Sequence, residues 1–263
     1  MSSTTATDRP TIVLIHGGWH TPPLYDKFTS LLKAQGYDVH VPRLPSMNGA
    51  RPPNADLYTD TALIRTYIEA LVEAGRNVVV LMHSYGGQVG SNALAGLGFE
   101  ARQQRNRAGG IRRLVYITAF ALNEGESMMD MVKKMGDEAL IPLAFDFADD
   151  GTVLDRDPKN LLVGPGPPGL EAELDAYVAR FERWNGTAMY QRLEISAWRK
   201  IPVSYVCTTN DMTVPLNYQQ AMIEKMRGEG RVVDSFELET GHCPQITMPQ
   251  ELADVVLVIL NKE

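Results

Sequence analysis

Ser84 lies where a predicted buried strand breaks into a helix, within NVVVLMHSYGGQVGSNAL (Asn77 to Leu94). An apolar run precedes it, and small residues at helical spacing follow. A serine at such a break is typical of a nucleophile in the pattern G-x-S-x-G, although Met82 replaces the first glycine. Because methionine is unbranched and can bend away from a tight turn, we interpret Met82 as a departure that preserves the motif.

Two later residues could activate this serine. A serine hydroxyl becomes a good nucleophile when a histidine accepts its proton and a carboxylate orients that histidine. His242 is the only histidine after Ser84, and it follows the last predicted strand; Asp211 follows the fifth one. Their order along the chain, at successive strand ends, predicts a catalytic triad of Ser84, Asp211 and His242.

An oxyanion hole is predicted from a separate segment, HGGWH (His16 to His20), which follows the first strand. Acyl transfer needs amide donors from the residue after the nucleophile and from an early strand–helix loop. The glycines of this segment allow its amides to turn inward. We predict donors at the backbone amides of Gly18 and Tyr85, with Trp19 as the alternative to Gly18.

The elements that must position these residues alternate along the chain. Six strands are predicted in TIVLIHGG, YDVHVPRL, NVVVLM, IRRLVYITAF, IPVSYVCTT and RVVDSFEL. Each is nearly continuously apolar, and helical patterns separate them. We therefore expect an α/β fold with a doubly wound, mostly parallel six-stranded sheet and helices on both faces.

The alternation breaks once, between the fourth and fifth strands. The insertion contains a methionine-rich helix, a predicted hairpin in FDFADDGTVLD, the rigid GPGPPG and two more helices. Its place at the carboxyl edge of the sheet favours a lid over a ligand crevice, and a purely structural elaboration is the alternative. We divide the chain into a core of residues 1–121 and 201–263 and a lid of residues 122–200.

Four lid residues are candidate walls of a substrate pocket: Met128, Phe145, Trp184 and Met189. Methionines and aromatic residues at helical spacing also pack inward as ordinary core, so both interpretations stay open.

Composition narrows the possible partners. The 263 residues carry a net charge of −7, which disfavours nucleic acid and anionic membranes. Two cysteines are too few for a disulfide framework, which favours a reducing compartment. The N-terminal MSSTTATDRP lacks the apolar core of a signal peptide. No apolar run approaches the roughly 20 residues that span a bilayer. We expect a cytoplasmic chain with a small-molecule substrate, no membrane partner, no metal and no cofactor. A monomer and a homodimer both stay open.

Four segments together resemble the α/β-hydrolase superfamily, and most closely its small plant-type methylesterases and hydroxynitrile lyases and their fungal relatives. They are VLIHGGWHTPPLYDKFTSLLKAQGYDV, HSYGG, DMTVPLNYQQAMIEKM and TGHCPQITMPQELADVV. The resemblance covers nearly the whole chain. It implies Ser84 as nucleophile, His242 as base, Asp211 as the orienting acid, and the Gly18 and Tyr85 amides as oxyanion hole.

Two positions bear on the reaction. Lyases of this branch typically carry a lysine after the catalytic histidine and a threonine after the first-loop histidine, where this chain has Cys243 and Gly17. We interpret Cys243 as a packing residue. We therefore expect an esterase-type serine hydrolase that cleaves a small or medium apolar carboxylic ester or lactone through an acyl-enzyme. The alternatives are a lyase, carbon–carbon cleavage or biosynthetic cyclisation on the same scaffold, and a non-catalytic small-molecule binding protein.

Overall fold

The computed structural model describes residues 9–262, so the expectation about a signal peptide falls largely outside the described residues. The strands are β1 (Thr11–Ile15), β2 (Val39–His40), β3 (Asn77–His83), β4 (Gly110–Ile117), β5 (Phe145–Phe147), β6 (Thr152–Asp155), β7 (Trp184–Asn185), β8 (Val203–Thr208) and β9 (Val233–Leu238). The helices are α1 (Asp26–Ala34), α2 (Leu57–Glu73), α3 (Tyr85–Ala93), α4 (Phe99–Gln103), α5 (Met128–Met135), α6 (Ile141–Ala144), α7 (Glu171–Val178), α8 (Leu216–Gly228), α9 (Pro244–Thr247) and α10 (Pro249–Leu260).

The central sheet has six strands in the order β2-β1-β3-β4-β8-β9, and every pairing between them is parallel. β1 is buried along its whole length, as is β3 after its first residue, because both carry near-continuous Val, Ile and Leu. Helix α1 packs against α10 and α2 against α3, so helices cover the sheet. The doubly wound architecture expected from the sequence is confirmed.

The strand order reverses at β1, since the chain passes from β1 to β2 on one side and then crosses to β3 on the other. In open α/β sheets such a switch point leaves a crevice at the carboxyl ends of the two strands. The HGGWH segment follows β1 and Ser84 follows β3, so the fold brings both to this crevice.

Five of the six strands of the central sheet end earlier or begin later than the predicted segments, and two of these ends have a clear local cause. β2 is limited to Val39–His40 at the sheet edge, because Pro42 lacks the amide hydrogen that a longer ladder would need. β4 ends at Ile117 rather than Phe120, since Thr118 has a φ of 39° and turns the chain away from the strand.

The segment between β4 and β8 carries the predicted methionine-rich helix as α5, which begins with a capping box of Ser127 and Asp130. The predicted hairpin forms as β5 and β6, and β7 joins it to give a three-stranded antiparallel sheet. The core and lid boundaries at residues 122 and 200 remain a prediction.

From residue 9 to residue 262, no helix combines the length and the apolar character that crossing a membrane requires.

Candidate active site

Ser84 occupies a sharp turn between β3 and α3, with a φ of 54° and a ψ of −122°. This is an unusual backbone conformation for a residue with a side chain, and it directs the serine out of the strand–helix connection. Two glycines make the turn possible. A Cβ on Gly86 would collide with the carbonyl oxygen of Ile15, and one on Gly87 would lie 2.8 Å from the carbonyl oxygen of Phe120.

Met82 is accommodated by a third glycine. Its side chain is fully buried, and its sulfur occupies the space beside Gly90 on α3, where any Cβ would collide with it. Methionine can therefore replace the first glycine of the motif because α3 carries a glycine opposite it.

His242 and Asp211 form a buried pair at the ends of β9 and β8. The His242 Nδ1–H donates to Asp211 Oδ2 at 2.7 Å, and both side chains are fully buried. Within residues 9–262, His242 Nε2 has no hydrogen-bond partner. The imidazole is thus oriented through one nitrogen, and the other is left to accept a proton.

The Asp211 carboxylate is held on both oxygens. Oδ1 accepts hydrogen bonds of 2.8 Å from the backbone amides of Thr213 and Val214. Oδ2 accepts from the hydroxyl of Thr208 at 2.9 Å and from the hydroxyl of Thr118. These donors fix the carboxylate in one orientation toward the imidazole.

A cavity of about 410 Å³ opens beside Ser84. It is lined by every residue predicted for the oxyanion hole and the substrate pocket: Gly18, Trp19, Tyr85, Met128, Phe145, Trp184 and Met189. His242 and Asp211 lie outside this lining, and both side chains are fully buried. The structure therefore gathers the candidate nucleophile, oxyanion-hole and pocket residues around one cavity, while the candidate base and acid do not line it.

The candidate oxyanion donors are free. Tyr85 begins α3, so its amide is one of the first-turn donors that a helix leaves without an internal acceptor. Across the described chain, the backbone amides of Gly18, Trp19 and Tyr85 donate to no protein group. A Cβ on Gly18 would lie 2.9 Å from the Trp184 ring, so glycine allows this loop to approach the pocket wall.

A hydrogen-bonded bridge that the sequence did not suggest joins the HGGWH loop to the His242 loop. The Gly17 amide donates to the Tyr25 hydroxyl at 3.0 Å, and that hydroxyl donates to His83 Nδ1 at 2.7 Å. The His83 Nε2–H then donates to the His242 carbonyl at 2.8 Å. The bridge holds the candidate base and the candidate oxyanion loop at a fixed separation.

A second bridge joins the same two loops. The Cys243 thiol lies 3.6 Å from His20 Nε2, and the His20 Nδ1–H donates to the Gly18 carbonyl at 2.7 Å. Cys243 is fully buried, as a packing residue would be, and its thiol also has this polar contact. The signal that could have indicated both bridges is the presence of histidines inside HGGWH and HSYGG.

Both bridging histidines are neutral. Burial lowers the pKa of His20 to about 3 and lowers the pKa of His83 well below its usual range. A neutral imidazole has one donor and one acceptor nitrogen, and both bridges use each nitrogen accordingly.

The side chain of Trp19 joins the HGGWH loop to the lid hairpin. Its indole N–H donates to the Val153 carbonyl at 3.0 Å. Its ring stacks on Phe145 at 5.6 Å between centroids and meets Trp184 edge-on at 5.5 Å. The hairpin of the predicted lid is therefore anchored directly on the loop that contains two candidate oxyanion donors.

A buried carboxyl on α2 holds the other side of the site. Asp60 accepts from the Tyr85 hydroxyl at 2.8 Å and from the Ser46 amide at 2.8 Å and its hydroxyl at 2.5 Å. Ser46 in turn accepts from the indole N–H of Trp184 at 3.1 Å. Burial raises the pKa of Asp60 to about 6.

Residues 12–255 match the family model described as the alpha/beta hydrolase family, and the chain therefore belongs to that family. Probable hydrolase R7 of a Phoma species is 28% identical over 256 residues, which cover 94% of this chain and 97% of that protein. With the family match, it confirms that the chain is an enzyme of the hydrolase class.

Two solved structures are similar over almost their full length. Polyneuridine aldehyde esterase aligns with a TM-score of 0.76 at 17% identity, covering 96% of this chain and 99% of that one. The second structure is an extracellular alpha/beta-hydrolase from a Paenibacillus species, which is described as sharing structural and functional homology with tobacco salicylic acid binding protein 2. It aligns with a TM-score of 0.74 at 23% identity, covering 95% of this chain and 98% of that one. The fold and the resemblance drawn from the sequence are confirmed.

Proposed function

We propose that this hydrolase is a serine esterase, which cleaves a small or medium, mainly apolar carboxylic ester or lactone through an acyl-enzyme. The observation that carries the proposal is the state of His242. Its Nδ1–H is bonded to Asp211, while Nε2 is buried without a protein partner in the described residues. The His242 ring lies 4.9 Å, between centroids, from the ring of His83, the residue before Ser84. An imidazole oriented in this way is suited to remove a serine proton.

In the proposed reaction, Ser84 Oγ attacks the carbonyl carbon while His242 Nε2 takes the hydroxyl proton. The Tyr85 amide and the Gly18 amide, or Trp19 in its place, donate to the developing oxyanion. The C–O bond then breaks as His242 gives its proton to the leaving alcohol. A water molecule attacks the acyl-enzyme by the same steps, and the carboxylic acid leaves.

The cavity supports the size and polarity of the proposed substrate. A volume of about 410 Å³ lies in the lower part of the range for small-molecule sites. Three lining residues, Leu140, Leu143 and Met212, are more than half exposed, so the apolar lining continues to the protein surface. The name of the structurally similar polyneuridine aldehyde esterase agrees with ester cleavage.

The same lining favours hydrolysis over cyanohydrin cleavage, since departing cyanide needs a nearby cation. No lysine or arginine is present among the described residues that line the cavity. At the position after His242, Cys243 is buried and faces His20 rather than the cavity.

Rapid-mixing kinetics with p-nitrophenyl esters test the proposal. We expect a burst of p-nitrophenol and an intact-protein mass increased by the acyl group, both lost in Ser84→Ala. Ser91→Ala is the matched control, since it removes a buried serine of α3 that bonds to Tyr116 and does not line the cavity. Turnover that survives Ser84→Ala would contradict an acyl-enzyme on this residue.

A further inference from the structure

A buried carboxyl on the lid side of the cavity has no part in the reaction described above. Asp155 is the last residue of β6, is 8% exposed and lines the same cavity as Ser84. Its Oδ1 accepts the Asp157 amide hydrogen at 2.8 Å. In the part of the chain that the structure describes, Oδ2 has neither a hydrogen-bond donor nor an ion-pair partner.

The other buried carboxylates near the site are satisfied differently. Asp211 accepts from four neighbouring residues besides His242, and Asp60 accepts three hydrogen bonds on its two oxygens. A carboxylate buried for structural reasons normally has partners of this kind, because an unsatisfied buried charge is costly. Asp155 lacks them on the oxygen that remains for the cavity.

Asp155 also lies close enough to the candidate base for their charges to interact. Burial raises the pKa of Asp155 to about 6, and the nearby His242 opposes that rise. The carboxyl is therefore mainly ionised at neutral pH and presents an acceptor to whatever occupies the cavity beside Ser84. Asp137, the other carboxyl of the lining, is only partly buried and accepts from the Tyr218 hydroxyl at 2.6 Å on one oxygen, whereas the Thr213 hydroxyl donates to the Leu161 carbonyl at 2.8 Å.

We propose that Asp155 is a specificity-determining residue, whose free oxygen accepts a hydrogen bond from an O–H or N–H group carried by the substrate near its scissile ester. The proposal rests on the esterase function above and adds one hydrogen-bond donor to an otherwise apolar substrate. An ionised carboxylate in this position accepts hydrogen bonds only, so it selects donors and disfavours substrates that carry carboxylate or phosphate.

Asp155→Asn tests this assignment. The carboxamide keeps the size of the side chain and an oxygen for the Asp157 amide, and it removes the charge. We would measure kcat/KM for methyl hexanoate, for methyl esters with a single hydroxyl or amino group at successive carbons, and for hexanoate esters of hydroxylated alcohols. Together these series place the donor on either side of the ester bond.

In the wild type, we expect at least one ester that carries a donor to be preferred over methyl hexanoate. Asp155→Asn should lower that preference ratio about tenfold to a hundredfold, the range for a hydrogen bond to a charged group. Asp155→Leu should lower it at least as far. Asp149→Asn removes the same charge from an exposed position of the same hairpin and should leave the ratio unchanged.

A wild type without any preference for donors, or a ratio unchanged in Asp155→Asn, would overturn the proposal. An equal loss on both kinds of ester would also overturn it, because it would give Asp155 a general rather than a selective role. Fluorophosphonate labelling of Ser84 in the same samples separates the two proposals. Labelled protein with unchanged selectivity refutes only the role of Asp155, whereas a wild type that is neither labelled nor active refutes the esterase.

Discussion

The two walls of the cavity differ in how their polar groups are held. The core wall is taken to include the sheet-side residues that pack outside the cavity lining. There, Asp211, His83 and His20 have protein partners for their polar atoms, and two bridges link the HGGWH loop to the His242 loop. On the lid wall, most lining side chains are apolar, and the buried Asp155 carboxyl has a partner on one oxygen. We infer that the core wall is built for one reaction geometry and the lid wall for the choice of substrate.

The largest loss of kcat should follow the substitution of Asp211, the core-wall residue with the most hydrogen bonds. Asp211→Asn places a carboxamide beside His242 Nδ1 and favours the wrong tautomer, so we expect kcat for ester hydrolysis to fall by about 10⁴-fold. Steady-state kinetics measure this directly. Asp234→Asn, on the partly exposed strand β9, is the control and should retain activity. A loss below tenfold in Asp211→Asn would show that the carboxylate does not orient the base.

Removing the Tyr25 hydroxyl from the first bridge should lower kcat by less than Asp211→Asn does. Tyr25→Phe leaves the Gly17 amide and His83 Nδ1 without partners, so we expect a stability loss of about 1–3 kcal/mol and a kcat about tenfold to a hundredfold lower. Chemical denaturation and steady-state kinetics measure the two effects.

Tyr116→Phe is a matched control, because it removes a buried hydroxyl that bonds Ser91 away from the cavity. It should lower stability and leave kcat unchanged. Equal losses of kcat in both variants would mean that the bridge only stabilises the fold.

Ionisation of the Asp155 carboxyl should change the free energy of unfolding with pH. The folded-state pKa of Asp155 is raised to about 6, above the unfolded value, so the folded chain binds the proton more tightly. Stability therefore falls as pH rises from about 4 to about 6, and Asp155→Asn should remove this loss. Urea unfolding across this range should show that the variant is about 1–3 kcal/mol more stable above pH 6 and no more stable below pH 4. A gain that is the same at every pH, or that Asp149→Asn shares, would contradict the account.

The smallest kinetic effect should come from weakening the contact of Trp19 with the lid hairpin. Trp19→Phe keeps an aromatic ring against Phe145 and removes the indole hydrogen bond to Val153. We expect KM to rise about twofold to tenfold with little change in kcat, because the lid loses one neutral hydrogen bond. Trp198→Phe removes a similar indole bond, to the Leu122 carbonyl, and should leave KM unchanged. A large loss of kcat in Trp19→Phe would contradict this expectation, because it would show that the indole also positions the reacting groups.

Much of the core wall could be predicted from the sequence, because its chemistry imposes an order on the chain. Strand-ending residues in the order Ser84, Asp211 and His242 are a strong pattern, and the apolar runs before them predict the parallel sheet. The bridges could not be predicted, since they join residues far apart in sequence through neutral histidines. The fit of Met82 also depends on a residue of another element, Gly90.

The lid wall was predictable in its elements and less so in its chemistry. The hairpin and the methionine-rich helix follow from local patterns, and the structure places Met128, Phe145, Trp184 and Met189 at the cavity. Asp155 lay inside the predicted hairpin, but a single aspartate in a strand has no periodicity that distinguishes a cavity-facing carboxyl from a solvated one. Its burial depends on the packing of the whole lid.

The central claim is that the core wall activates Ser84, and the most direct test is covalent labelling with a fluorophosphonate probe followed by peptide mass spectrometry. The account predicts a single labelled residue, Ser84, with labelling slowed by orders of magnitude in Asp211→Asn and His242→Ala. A folded wild-type protein that is not labelled, that is labelled at another residue, or that is labelled equally fast in both variants would contradict it.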